Sequence, residues 1–169
     1  DPEAGSWYPS TVKLDTKSKS EGKASVTNNL SAEQALRENS FRFVPVSPLD
    51  LTGGKELRFD MYVSDPALLA QRTSWAVRLS SSSRGTDDYI QWTLADFGTL
   101  KEGWNSVTLK LDDAKTSGDF QLSSVEAFYM LAEEASFEEG ELVMVKLDNI
   151  RVSGASSGDK DDNSSPDTG

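Results

Sequence analysis

Apolar and polar residues alternate along the chain in short runs that turn residues interrupt. The clearest run is Glu56-Leu57-Arg58-Phe59-Asp60-Met61-Tyr62-Val63. Leu57, Phe59, Met61 and Val63 share one face, while Arg58, Asp60 and Tyr62 share the other. That is the two-residue period of a half-buried strand. Over 75–80 the same period turns Val77 and Leu79 inward and Ala76, Arg78 and Ser80 outward. Over 89–94 it turns Ile90, Trp92 and Leu94 inward and Tyr89, Gln91 and Thr93 outward. Val107, Leu109 and Leu111 form the inward set of 106–111. Both faces of 125–131 are apolar. Phe128 and Met130 are assigned to the core there and Tyr129 to the outside. In the closing run Val143, Val145 and Leu147 share a face, yet Ile150 and Val152 have the opposite parity. A bulge near Asp148-Asn149 returns them to the core.

Earlier strands are expected near 7–15, 23–29 and 40–47. Turn signals such as Thr52-Gly53-Gly54, Lys101-Glu102-Gly103 and Glu138-Glu139-Gly140 separate the strands. Residues 31–39 are the one stretch with helical composition. Ser31 as cap and Gln34 at the capping-box position would make it a short helix. The alternative is a strand connection. About nine antiparallel strands at regular spacing predict an all-β fold, a β-sandwich or jelly roll. The domain is expected to span 1–153. Residues 154–169 hold no large apolar side chain and read as a flexible Ser/Gly/Asp-rich linker.

Composition narrows the chemistry. The 169 residues include no cysteine and no histidine. Disulfides, thiolate metal sites, a Ser-His-Asp triad and histidine-liganded zinc are thereby excluded. The net charge of −11 argues against a nucleic-acid partner. No apolar run is long enough for membrane insertion. The carboxylate pairs Asp87-Asp88, Asp112-Asp113, Glu133-Glu134 and Glu138-Glu139 are adjacent in sequence. Neighbouring strand residues point to opposite faces, so such pairs do not flank one glycosidic bond. They read as solvated turn residues, and no enzymatic activity is expected. Gly53-Gly54 lacks the following helix that a phosphate cradle needs.

Several segments together resemble a known family. These are Pro48-Leu49-Asp50-Leu51, Leu57 to Asp65, Leu79-Ser80-Ser81-Ser82, Asp88-Tyr89-Ile90-Gln91-Trp92, Gly103-Trp104-Asn105 and Lys146-Leu147-Asp148-Asn149-Ile150-Arg151-Val152. They look like the galactose-binding-like jelly rolls that serve as carbohydrate-binding modules in secreted or surface proteins of Gram-positive bacteria. The resemblance covers residues 5–153. It implies a ligand site on the concave sheet face or in the rim loops, and a structural calcium. Asp148 would be its last-strand ligand, with Glu3, Asp15 and Glu21 as early-strand candidates. The alternative role for Asp148 is to cap the bulge by bonding backbone amides.

Sugar recognition needs flat apolar surface for the ring C–H face and planar hydrogen-bonding groups for hydroxyls. The outward set Arg58, Asp60, Tyr62, Arg78, Tyr89, Gln91 and Tyr129 supplies both. Read blandly, the same residues are cross-strand packing pairs. Trp7 with Tyr8, and Trp75, are the loop-aromatic candidates, against ordinary packing. Trp104, in the Gly-Trp-Asn motif, reads as structural and Trp92 as core. The expected function is non-catalytic binding of a polysaccharide or oligosaccharide by a monomeric module within a larger secreted or cell-surface protein. A glucan such as starch or β-glucan is favoured. The alternative is a protein-interaction or spacer module with no sugar site.

Overall fold

The alternation over 56–63 is realised as a strand whose inward residues Leu57, Phe59, Met61 and Val63 are each at most 1% exposed. The structure, a computed structural model, describes residues 5–9, 12–15, 25–82 and 87–154, with the backbone alone at 14 and 15. The linker expected over 154–169 lies almost wholly outside the described residues. Eleven strands run through the described part. They are β1 (Gly5–Tyr8), β2 (Lys13–Asp15), β3 (Ser25–Ser31), β4 (Phe41–Pro45), β5 (Glu56–Val63), β6 (Thr73–Ser80), β7 (Tyr89–Thr93), β8 (Gly103–Lys110), β9 (Lys115–Ser117), β10 (Ala127–Ala135) and β11 (Leu142–Ser153). One α-helix, α1 (Pro66–Arg72), joins β5 to β6. No helix among the described residues is long and apolar enough to cross a membrane.

The strands form two antiparallel sheets. The first has the order β1-β4-β10-β6-β7-β9 and the second β2-β3-β11-β5-β8. Their inner faces meet in one core. The first sheet contributes Phe41, Trp75, Val77, Trp92, Phe128 and Met130, and the second Leu30, Phe59, Met61, Leu109, Val145 and Leu147. Phe59 and Phe128 touch edge to face across the sandwich, with centroids 6.3 Å apart. Burying each such side chain contributes about 1.5–3 kcal/mol.

The expected bulge is present. Asp148 pairs with Asp60 and Arg151 with Arg58, so three steps on β11 answer two on β5. Asn149 absorbs the extra residue with φ 56°. Val152 thereby comes opposite Leu57, on the core side.

Of the two readings of residues 31–39, the strand connection holds and the capped helix does not. Ser31 ends β3, and only Leu36–Glu38 make a single 3-10 turn. Gln34 Nε2 instead donates to the Glu38 carbonyl at 3.0 Å and to Asn39 Oδ1 at 2.8 Å. The α-helix lies at 66–72. Asp65 caps it by accepting the Leu68 N–H at 3.1 Å, Pro66 starts it, and Leu69 is fully buried.

Candidate functional site

A lateral row of side chains crosses the outer face of the first sheet. Register places Tyr8 beside Arg42, Arg42 beside Tyr129, Tyr129 beside Arg78, Arg78 beside Gln91, and Gln91 beside Lys115. Each of six strands gives one residue. Directly paired residues share a face, so all six side chains stand on the outside. Local alternation explains each placement. In β4, for example, Phe41 is fully buried and Arg42 follows it outward.

The row is held by stacking and directed hydrogen bonds. The Arg42 guanidinium lies between two tyrosine rings, 4.6 Å from the centroid of Tyr8 and 5.8 Å from that of Tyr129. Its Nη1 donates to the Tyr129 hydroxyl at 3.3 Å. Arg78 lies 4.0 Å from the centroid of the Tyr89 ring, and its Nε donates to Gln91 Oε1 at 2.7 Å. Its Nη2 is 3.4 Å from Glu133 Oε2. Each guanidinium is thus fixed with an aromatic face beside it. Such a surface offers ring planes and N–H donors at set positions without ordering anything first. Ala76, Ser80 and Ala127 share the outward parity and are fully buried, so the long side chains of the row rise above small neighbours.

The predicted site residues do not form one group. Arg78, Tyr89, Gln91 and Tyr129 come together as expected. Tyr62 and Asp60, on β5, belong to the second sheet and face away from the other side of the sandwich. A single groove lined by Tyr62, Tyr89 and Tyr129 is therefore ruled out. Trp75 is a core residue, 1% exposed, on the parity of Val77 and Leu79. Trp7 faces inward, 5.1 Å from Phe43 and 6.3 Å from Phe41 by ring centroid. Its neighbour Tyr8 is the exposed aromatic of β1. Arg42 and Lys115 were not singled out from the sequence. The alternation of Phe41-Arg42-Phe43 carried the signal for Arg42. Lys115, on a three-residue strand, carried none.

The second sheet bears a different constellation on its outer face. Trp104 stands opposite Tyr62, with ring centroids 5.7 Å apart and planes at 69°. Lys146 Nζ lies 5.3 Å from the Tyr62 ring centroid. Beside them an open groove of about 660 Å³ runs along β8, lined by Asp60, Thr99, Leu100, Lys101, Trp104 and Ser106 among others. In the Gly-Trp-Asn motif the structural work falls on its first and last residues. Gly103 takes φ 99°, which other residues rarely adopt. Asn105 Nδ2 donates to the Lys101 carbonyl at 2.9 Å and to the Gly103 carbonyl at 3.0 Å, and its Oδ1 accepts the Lys101 N–H at 2.9 Å. Trp104 itself is half-buried and faces outward.

No protein-family profile matches the chain, and no curated protein sequence matches it. Solved structures do match. A family 30 carbohydrate-binding module is similar with a TM-score of 0.58 at 15% identity, over 94% of this chain and 81% of the other. The family 30 module of a cellulosomal cellulase of Clostridium thermocellum gives 0.58 at 15% identity, over 91% and 88%. A family 11 module of Clostridium thermocellum, solved with a β-1,3-1,4-mixed-linked tetrasaccharide, gives 0.53 at 11% identity, over 92% and 91%. The chain has a β-sandwich fold similar to that of these carbohydrate-binding modules. At these identities the likeness is one of fold.

Within this module fold the expected calcium ligands can be placed only in part. Asp148 lies at the bulge, where its Oδ1 accepts the Asn149 N–H at 2.8 Å. That is the backbone-capping role. Asp15 pairs through its backbone with Ser25 on β3, the strand next to β11. Glu3 and Glu21 lie outside the described residues. Calcium takes six to eight oxygens. No group of three or more acidic, histidine or cysteine side chains is gathered for a metal among the described residues.

Proposed function

We propose that the protein is a non-catalytic carbohydrate-binding module that attaches a secreted or cell-surface protein to polysaccharide. The observation that carries this reading is the row from Tyr8 to Lys115 across the first sheet. Tyrosine rings there alternate with planar donors. A sugar chain lying over the row would set its C–H faces on Tyr8 and Tyr129, with Tyr89 flanking the row two residues along β7. Its hydroxyls would bond Arg42, Arg78 and Gln91. The neighbouring folds support the class, and the mixed-linked tetrasaccharide in the family 11 module makes a glucan the first ligand to test. Each contact is open to water and modest in strength, so a single module binds weakly and gains through repetition on one protein.

Affinity gel electrophoresis against starch, xylan, mixed-linkage β-glucan, mannan and mucin tests the reading. Retardation in one gel, lost in Arg78→Ala and Tyr129→Ala variants that remain folded, is the expected result. No retardation in any gel would transfer the row to the packing of the sheet and leave a protein-interaction or spacer module.

A further inference from the structure

We propose that the groove along β8 is a second, separate sugar site on the opposite side of the sandwich, with Trp104 as its stacking surface. The inference rests on the carbohydrate-binding reading above, but on different residues. Three observations carry it. First, Trp104 is half-buried and lines the groove while its partner Tyr62 is held in place. Tyr62 has Trp104 edge to face at 5.7 Å and the Lys146 ammonium at 5.3 Å. The indole is thereby packed against a fixed ring beside the groove.

Second, the groove is built in advance. Asn105 ties the 101–103 turn to β8 through both ends of its amide. Phe97, beneath, packs on the core ring of Phe59 at 5.8 Å. Little has to be ordered when a ligand enters, and that lowers the cost of binding. Third, the lining matches a neutral, hydroxylated ligand. The Asp60 carboxylate and the Lys101 ammonium balance in charge, and the Thr99 and Ser106 hydroxyls can both give and accept hydrogen bonds. About 660 Å³ falls in the range of small-ligand sites. The occupant inferred is a short stretch of uncharged sugar. Because the two sites face opposite ways, one oligosaccharide cannot cover both. One module could instead hold two separate polysaccharide strands.

The test is an NMR titration of the whole chain with four tetrasaccharides, from mixed-linkage β-glucan, starch, xylan and mannan. The Trp104 indole N–H signal is assigned as the one lost in Trp104→Phe. With at least one sugar it is expected to shift together with the Lys101 and Ser106 amides. These shifts should persist in an Arg78→Ala/Tyr129→Ala double variant, which silences the first sheet. Asp60→Asn, which leaves the aromatic pair intact, should weaken the groove response severalfold. Shifts confined to the first sheet overturn the second site and leave the proposed function standing. So does a Trp104 response that disappears in the double variant. No shift on either face with any of the four sugars overturns both.

Discussion

Arg78 and Tyr89 lie diagonally across the β6–β7 pair, with the guanidinium carbon 4.0 Å from the ring centroid. Tyr89 is two residues before Gln91, which accepts the Arg78 Nε–H. The arginine is thus pinned from the side and from below. Lysine would keep the charge and lose both the planar stack and the fixed fork. Arg78→Lys is expected to weaken glycan binding about tenfold, as a fixed charged donor to a sugar hydroxyl is worth about 1.5–3 kcal/mol and lysine replaces it with a mobile one. Affinity gels on the folded variant read this directly, and unchanged retardation would remove Arg78 from the site.

Two tryptophans that are both 1% exposed are expected to differ in what they tolerate. Trp92 Nε1 donates to the Lys110 carbonyl at 2.9 Å, whereas Trp75 Nε1 is buried with no partner among the described residues. Replacement by phenylalanine costs both sites apolar contact. Only at Trp92 does it also break a hydrogen bond, worth about 1 kcal/mol. Urea unfolding should therefore find Trp92→Phe the more destabilising by roughly that amount. Equal losses would show that packing alone sets both costs.

The acid limb of stability is expected to depend on Glu141. Its carboxylate accepts from Arg72 Nε at 2.9 Å and Nη2 at 3.0 Å, joining α1 to the turn before β11. The Arg72 hydrogen bond, then the Glu138 N–H, hold the Glu141 carboxyl below the usual carboxylate range. A carboxyl lowered in the folded state stabilises above its unfolded value, and that stabilisation is lost as pH falls through the folded one. Glu141→Gln should lower the melting temperature at neutral pH and flatten its fall in mild acid. An acid limb of unaltered slope would assign that dependence to other carboxylates.

Asn149 supplies the left-handed residue of the β11 bulge. Asparagine tolerates that conformation and glycine adopts it freely, but a β-branched residue does not. Asn149→Gly is expected to be close to neutral and Asn149→Val to cost about 1–3 kcal/mol in denaturant unfolding. If valine were as well accepted as glycine, the bulge could relax without loss.

Strand alternation made most of the sandwich legible, and the parity break in β11 foretold its bulge. Alternation tells which side of its own sheet a residue occupies. It does not tell which sheet a strand joins. Tyr62 and Tyr89 both point outward as read, yet β5 and β7 belong to opposite sheets, so their shared direction in sequence becomes opposite directions in space. Trp75 was a loop-aromatic candidate by its place near a strand start, and ordinary packing, the other reading, is what its parity with Val77 and Leu79 delivers. The helix at 66–72 is seven residues long, two turns, which is too short for a helical period to rise above the strands around it. Its Asp65-Pro66 start was the usable signal.

The row from Tyr8 to Lys115 runs at right angles to the strands that carry it. Its extent is therefore counted in strands: five spacings of about 4.8 Å, or roughly 24 Å from edge to edge. On the proposed reading the backbone ladder would act as a ruler for the ligand. A sugar chain shorter than that span would leave Tyr8 or Lys115 uncovered, and one that is longer would pass beyond the last residue of the row. Affinity should climb with oligosaccharide length and level off once the chain reaches both edge strands.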